Sequence, residues 1–300
     1  MSQILIGTAS WTDKSLVDSG LFYPPAIETA DERLRYYATQ FPLVEVDSAY
    51  YALPSARNSV LWARRTPEQF LLAIKAFRFF TQHQSPPSAL PRDIRDAMGP
   101  IQRKNLYYRD IPAELLQELW ERFRFAIHPL LDAGKRGLVL FQFPPWFVYR
   151  TSNLDHILIC QSILGAYPVA VELRNSSWFE VKHRKGVFDF ERRNGLAHVV
   201  ADEPQGFPSS IPTLWEVTAP TAVVRLHGRN RETWAKKGLS SLAARFNYLY
   251  SEDELSDLAE PIRGLDKKAE QVHVLFNNNF TNYAQRNARQ LQDLLKSFQN

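Results

Sequence analysis

The chain has 300 residues, 45% of them apolar and 23% charged, with a formal net charge of +4. Those proportions predict a soluble globular protein, and so mild a positive excess argues against a nucleic-acid-binding tail. No apolar run is long enough to span a bilayer, and the single cysteine, Cys160, excludes an internal disulfide and a Cys-built metal cluster.

The N-terminus enters strand-like sequence at once and has no charged stretch before a long apolar one. No signal peptide is expected, and the cytoplasm is the expected compartment. Residues 4–10 read as the first strand, and a helix capped by Thr29 or Asp31 runs to 39. Residues 43–47 form a second strand, 59–65 a short helix and 70–77 a third strand. A long connection follows. Its first part, residues 78–111, is rich in Pro and polar residues and reads as an insertion over the barrel mouth, while Leu115, Leu116, Leu119, Phe123, Ile127 and Leu130 recur at helical spacing after it. Strands at 137–143, 169–174, 197–202, 222–228 and 271–277 alternate with helices at 154–164, 186–194, 252–265 and 282–298. Cys160 lies in an apolar stretch and reads as a small core residue. Eight strands alternating with helices predict an α/β fold, a single-domain TIM-type (β/α)8 barrel across residues 1–300.

Alternation along the strands locates a site. Strand side chains point alternately to opposite faces, and in a parallel barrel one face meets helices while the other is core below and open mouth above. In residues 169–174, Val169, Val171 and Leu173 share one face and Ala170, Glu172 and Arg174 the other. The same reading sends Thr8, Ser10, Glu45, Asp47, Lys75, Gln142, Asp202, Arg225, His227 and Asn277 to the inward face near the strand ends. Burying charge costs several kcal/mol unless it is paired, so charge from five strands meeting at one rim predicts either a neutral ion-pair network or a binding site. Aromatic residues that closely follow strands, among them Trp11, Tyr50, Tyr51, Trp146, Trp178 and Trp234, suggest flat walls. Arg225, Arg229 and the amide-rich turn at Asn277 and Asn278 suggest a seat for phosphate or carboxylate, because barrels bind such groups after strands seven and eight.

At these residues the chain resembles the domain-of-unknown-function 72 (YecE-like) family. The matching pieces are GTASW from Gly7, FYP from Phe22, VEVDSAYY from Val44, TPEQF from Thr66 with Lys75, and TQH from Thr81. Then come FQFPP from Phe141, VELRNSSW from Val171, Asp202, RLHGR from Arg225, FNN from Phe276, and Asn287 with Ala288. The resemblance implies a TIM-type barrel and brings no reaction with it. One position departs, since the family usually carries Asn where Asp47 stands.

Three functions compete. In the first, a hydrolase or lyase acts on a small anionic substrate: Glu172, Lys75, His227 and Asp202 supply acid–base chemistry, and Arg174, Arg225, Arg229, Asn277, Asn278, Gln142, Glu45, Asp47, Trp11 and Trp178 bind. In the second, Glu45, Asp47, Glu172, Asp202 and His227 hold a divalent metal for phosphodiester cleavage, although three cations compete for the carboxylates and the sequence has no HxH or HExxH pair. In the third, Arg103, Lys104 and Arg109 with Tyr107 and Tyr108 bind nucleic acid without catalysis. No cofactor is required by the first reading, and no membrane partner is expected.

Overall fold

In the computed structural model, which describes residues 3–207, 210–236, 238 and 243–297, eight parallel strands pair in sequence order and the eighth closes on the first. The strands are β1 (Gln3–Ala9), β2 (Leu43–Val46), β3 (Leu71–Lys75), β4 (Arg136–Gln142), β5 (Val169–Glu172), β6 (Ala197–Asp202), β7 (Thr221–Leu226) and β8 (Gln271–Phe276). Around them lie α1 (Lys14–Ser19), α2 (Ala30–Gln40), α3 (Ser48–Tyr51), α4 (Ala56–Arg65), α5 (Arg92–Ala97), α6 (Ala113–Asp132), α7 (Thr151–Leu164), α8 (Val181–Arg193), α9 (Glu252–Asp266) and α10 (Tyr283–Ser297). This is the single-domain TIM-type barrel that the alternation of elements predicts.

Two apolar layers hold it. Leu5, Leu43, Leu138, Leu140, Val199, Val223 and Leu275 fill the barrel interior, with Ala73, Ala170 and Ala197 between them. The opposite parity packs on the helices: Val44, Ile74, Val139, Val171, Val200, Val224 and Val274 belong to the larger outer core. Backbones approach closely where β1 meets β2. A Cβ placed on Gly7 would lie 1.9 Å from the Leu43 carbonyl oxygen, so only glycine fits that crossing.

Helix starts follow local chemistry. Thr29 and Glu32 exchange hydrogen bonds in a capping box at α2, and Ser251 and Glu254 do the same at α9. The long α6 buries Leu119, Phe123, Ala126, Ile127 and Leu130. Several helices differ from the sequence expectation, which does not include the short α3 and α5. The six-residue α1 is too short to show a period, and it is set by the Asp13 cap and by Gly20 in left-handed conformation. In α4 the Ser55 side chain caps the helix, so it starts at Ala56 rather than 59. In α8 the glycine at 186, read as a boundary, is an interior residue with open space around it; it weakens the helix by about 1 kcal/mol relative to alanine without ending it. The expected helix end at Phe298 lies outside the described residues.

Between β3 and α6 the chain makes its longest excursion. Ser85 and Leu106 pair as an isolated antiparallel bridge, and Leu90, Ile94, Leu106 and Ile111 are buried. Asp93 forms an ion pair with Arg122 on α6, and the Tyr108 hydroxyl accepts from Trp120 while its ring meets His156 on α7. Through these contacts the excursion packs against α6 and α7, and Arg78 and His83, at its start, line the cavity at the strand ends. No helix among the described residues is long and apolar enough to cross a membrane.

Candidate functional site

The C-terminal strand ends enclose an open cavity of about 590 Å³. Its floor is ionic. Arg225 is fully buried and grips Glu45 with two parallel bonds, Nε to Oε2 at 3.0 Å and Nη2 to Oε1 at 2.8 Å. Its Nη1 donates to Glu172 Oε2 at 2.5 Å. The other Glu172 oxygen accepts from Arg174 Nη1 at 2.8 Å and from His227 Nε2 at 3.0 Å. Arg174 Nη2 lies 2.5 Å from Glu203 Oε2, an ion contact whose angle falls outside hydrogen-bond geometry. Charge-assisted bonds of this kind compensate the loss of water.

The network sets protonation. Burial pushes the Glu172 carboxyl up, but Arg225, His227 and Arg174 together hold it well below the usual range, so it is ionised. Burial lowers Arg225, and Glu45 and Glu172 more than reverse that. His227 is driven down to about 4, chiefly by burial and against the pull of Glu172. A neutral ring fits its partners: Nε2–H donates to Glu172 and Nδ1 accepts from the Asn277 amide at 2.9 Å. Lys75 sits 2.7 Å from Asp47; burial lowers its pKa, but Asp47 and Glu45 raise it further, so the ammonium stays charged.

Above this floor the cavity lining is cationic. Among the described residues it presents Lys75, Arg78, Arg174 and Arg245 against Asp13 and Asp47. The ring of Tyr50 gathers part of this charge, with Lys75 Nζ 4.8 Å and Arg78 Cζ 5.2 Å from its centroid. Trp234 backs Arg174 at 5.4 Å.

Of the residues that the alternation sends to the rim, Lys75, Asp47, Gln142, Arg174, His227 and Asn277 line the cavity. Glu45, Glu172 and Arg225 lie beneath it, each with no exposed surface, so Arg225 holds the floor carboxylates and faces no solvent. Asp202 and Arg229 point elsewhere. On β6 the inward positions are those of Ala197 and Val199, and Asp202 is level with Leu226, whose side chain belongs to the outer core. Asp202 therefore turns toward the helices, where Arg229 and the Tyr250 hydroxyl bond it, and Arg229 also reaches Glu254 at the start of α9. Thr8 is likewise outward and bonds the Tyr37 hydroxyl, because Leu5 sets the inner parity of β1. Ser10 has a φ of 67°, which ends the alternation there.

Three more expected binding residues belong to the packing. Trp178 is fully buried and stacks on Phe147, and Trp11 is buried edge-on against Trp62. Asn278, also fully buried, ties Tyr248 to Asn287. It lies beside Gly228, whose φ is +82° and where a Cβ would meet the Tyr248 Cβ at 2.8 Å. The expected aromatic walls reduce, for the tryptophans, to Trp234, while Tyr50 and Tyr51 line the cavity as well. Cys160 is a buried core thiol, its pKa pushed up by burial.

The sequence reading passes over five charged or titratable residues here, one of them Asp13, which follows β1. Glu203 is the inward carboxylate of the sixth strand's extension, and carrying the alternation one residue past Asp202 from Val199 would have found it. Arg78 and His83 lie past the end of β3, beyond the reach of alternation. Arg245 follows a long loop with no periodic signal. The five expected metal donors do not converge: Glu45 and Glu172 are held by Arg225, Asp47 by Lys75 and Asp202 by Arg229. Among the described residues no group of three or more His, Cys, Asp and Glu is placed to hold a metal ion.

Fold and site together define a closed (β/α)8 barrel with an ion-paired floor and a cationic mouth. The family described as "Protein of unknown function DUF72" matches residues 5–300, and the chain belongs to that family. The UPF0759 protein YunF of Bacillus subtilis (strain 168) is 33% identical over 295 residues, covering 97% of this chain and 94% of that protein. The crystal structure of a DUF72 family protein from Enterococcus faecalis V583 superposes with a TM-score of 0.80 at 26% identity, over 98% of this chain and 96% of that one. A DUF72 family protein from Thermotoga maritima MSB8 gives 0.74 at 28% identity, over 98% and 99%.

Proposed function

We propose that this barrel is an enzyme, a hydrolase or lyase, that seats the phosphate or carboxylate of a small substrate on Arg174, Arg78 and Lys75 in the mouth. The observation that carries the reading is the charge of the cavity lining, four Lys and Arg against two carboxylates. A purely structural network needs no surplus of cations facing an open cavity. Glu172, Arg225 and Glu45 then serve as a fixed platform that orients Arg174 and His227, and Gln142 and Asn277 offer neutral hydrogen bonds beside the anion. The start of the 78–111 excursion supplies one wall. Preorganised donors of this kind are the largest single source of stabilisation for charge that develops in a reaction.

The nucleic-acid reading loses support, since Tyr108 is engaged by Trp120 and His156 and Arg103 is paired with Asp110. The metal reading loses it to the arginines and lysine that already hold its carboxylates.

Calorimetric titration with inorganic phosphate tests the proposal. Saturable binding is expected that weakens with added salt, and Arg78→Ala is expected to lower the affinity by about tenfold or more, the worth of one hydrogen bond to a charged group. An absence of saturable binding by phosphate and by small carboxylates at millimolar concentration would overturn it.

A further inference from the structure

Of the seven histidines, His83 has a setting that the floor network does not use. It lines the mouth cavity and follows a tight turn in which Gln82 takes a φ of 58°. Its ring stands edge-on to Tyr50 at 5.2 Å and to Trp146 at 5.9 Å. Tyr50 is also the ring over which Lys75 and Arg78 lie, so one aromatic side chain gathers the imidazole and two cations.

The hydrogen bonds favour one tautomer, because the Arg78 carbonyl can only accept from Thr81 whereas a ring nitrogen of His83 can also donate to that hydroxyl. The Thr81 hydroxyl donates its one hydrogen to the Arg78 carbonyl at 3.2 Å. With that hydrogen on the carbonyl, Thr81 accepts from His83, and the 2.8 Å contact is then Nδ1–H to Thr81 Oγ1. In this tautomer Nε2 keeps a lone pair, and among the described residues the only side-chain hydrogen bond of His83 is the one through Nδ1. Burial, with Lys75, Arg78 and Arg174 behind it, drives the ring down to about 3, so it is neutral at physiological pH. His227 differs: both its nitrogens are occupied, one by Glu172 and one by Asn277.

From this geometry we infer that His83 is the proton acceptor of the mouth, acting through Nε2 on a substrate whose anionic group rests on Arg78 and Lys75. The inference rests on the anion-site reading above and deepens it. In the step itself, Nε2 takes a proton from a water molecule or from a C–H or O–H of the substrate. The ring becomes an imidazolium still held to Thr81 through Nδ1–H. The electron pair left on oxygen or carbon attacks or eliminates, and the proton returns to the leaving group. An anion seated on Lys75 and Arg78 cancels the repulsion that those cations exert on the imidazolium, so bound substrate makes His83 a better base.

Two measurements on the full chain test this. Selective ¹⁵N-histidine NMR at neutral pH is expected to show His83 as the Nδ1–H tautomer, and Thr81→Val, which removes the acceptor, to shift it toward Nε2–H. Diethyl pyrocarbonate, which acylates an unprotonated imidazole nitrogen, is expected to label His83, and inorganic phosphate at ten times its Kd to slow that labelling about tenfold by mass action. His128, exposed on α6 far from the cavity lining, is the internal reference and keeps its rate. An Nε2–H tautomer, an imidazolium, or unprotected labelling while phosphate saturates the protein overturns the role of His83 alone. Failure of phosphate to bind in the calorimeter overturns the anion site itself, and this inference with it.

Discussion

Glu203 and Asp202 are adjacent carboxylates with opposite duties, and one peptide unit separates them. Glu203 is buried against Arg174 and also accepts the Ile211 amide at 2.8 Å. Glu203→Gln keeps an oxygen for that amide and removes one of the two negative charges that hold Arg174. At an effective dielectric of about 20, a unit charge roughly 10 Å away is worth about 1.5 kcal/mol, so phosphate should bind about tenfold more tightly. Asp202→Asn should leave phosphate affinity unchanged and lower stability by about 1–3 kcal/mol, since Arg229 and the Tyr250 hydroxyl lose a charged acceptor. Denaturant titration and calorimetry on both variants check the pair; the reverse pattern would put Asp202 at the site. Alternation placed Glu45, Asp47, Lys75, Gln142, Glu172, Arg174, Arg225, His227 and Asn277 on the inward face, because each sits on or just beyond a strand whose apolar positions declare its parity. It failed at β6, where the apolar positions Ala197 and Val199 face inward and the polar residues His198 and Asp202 face the helices, so reading the polar face as the inner one picks the wrong side. There the polar face is buried by pairing with Glu191 and Arg229 on the helix side, which alternation alone does not distinguish from the barrel interior.

At the scale of elements, the mouth is built by segments that follow the strands, and packing rather than ligand contact explains most of their aromatic residues. Trp178 ends the short helical turn after β5, stacks on Phe147 at 5.7 Å and donates its indole N–H to the Phe147 carbonyl at 2.6 Å. It thereby braces the loop that carries Pro144 and Pro145, both in the cavity wall. Trp178→Ala should cost about 3–5 kcal/mol in denaturant unfolding, the usual loss for a deeply buried aromatic. Phosphate affinity should fall only through the loosened wall. Unchanged stability with abolished binding would instead make Trp178 a ligand platform. Patterning located all eight strands because each carries its own apolar signal. It missed the short helices α1, α3 and α5 and the starts of α4 and α8, where few residues, a single cap or an interior glycine hides the period. It gave no purchase on Arg78, His83 and Arg245, which reach the cavity from irregular chain that only the closed barrel brings together.

For the whole molecule, burial of neutral histidines links stability to pH. His83 is held down to about 3, and His227 and His273 to about 4, from an ordinary 6.5, in each case chiefly by burial. Between those values the unfolded chain binds protons that the fold refuses. The stabilisation is therefore complete above pH 6.5 and is lost as pH falls from 6.5 toward 4. Each such histidine contributes a slope of up to about 1.4 kcal/mol per pH unit in that window. Denaturant unfolding across the window should show the decline, and a flat profile would mean that the rings titrate freely. The charge arrangement itself is tested most directly by locating an anion. Crystals grown with arsenate, a phosphate mimic that its anomalous scattering identifies, should show the anion in the barrel mouth within hydrogen-bond reach of Arg174, Arg78 and Lys75. Arsenate absent from the mouth, or bound instead beside Arg229 on the outer side of β6, would contradict the account.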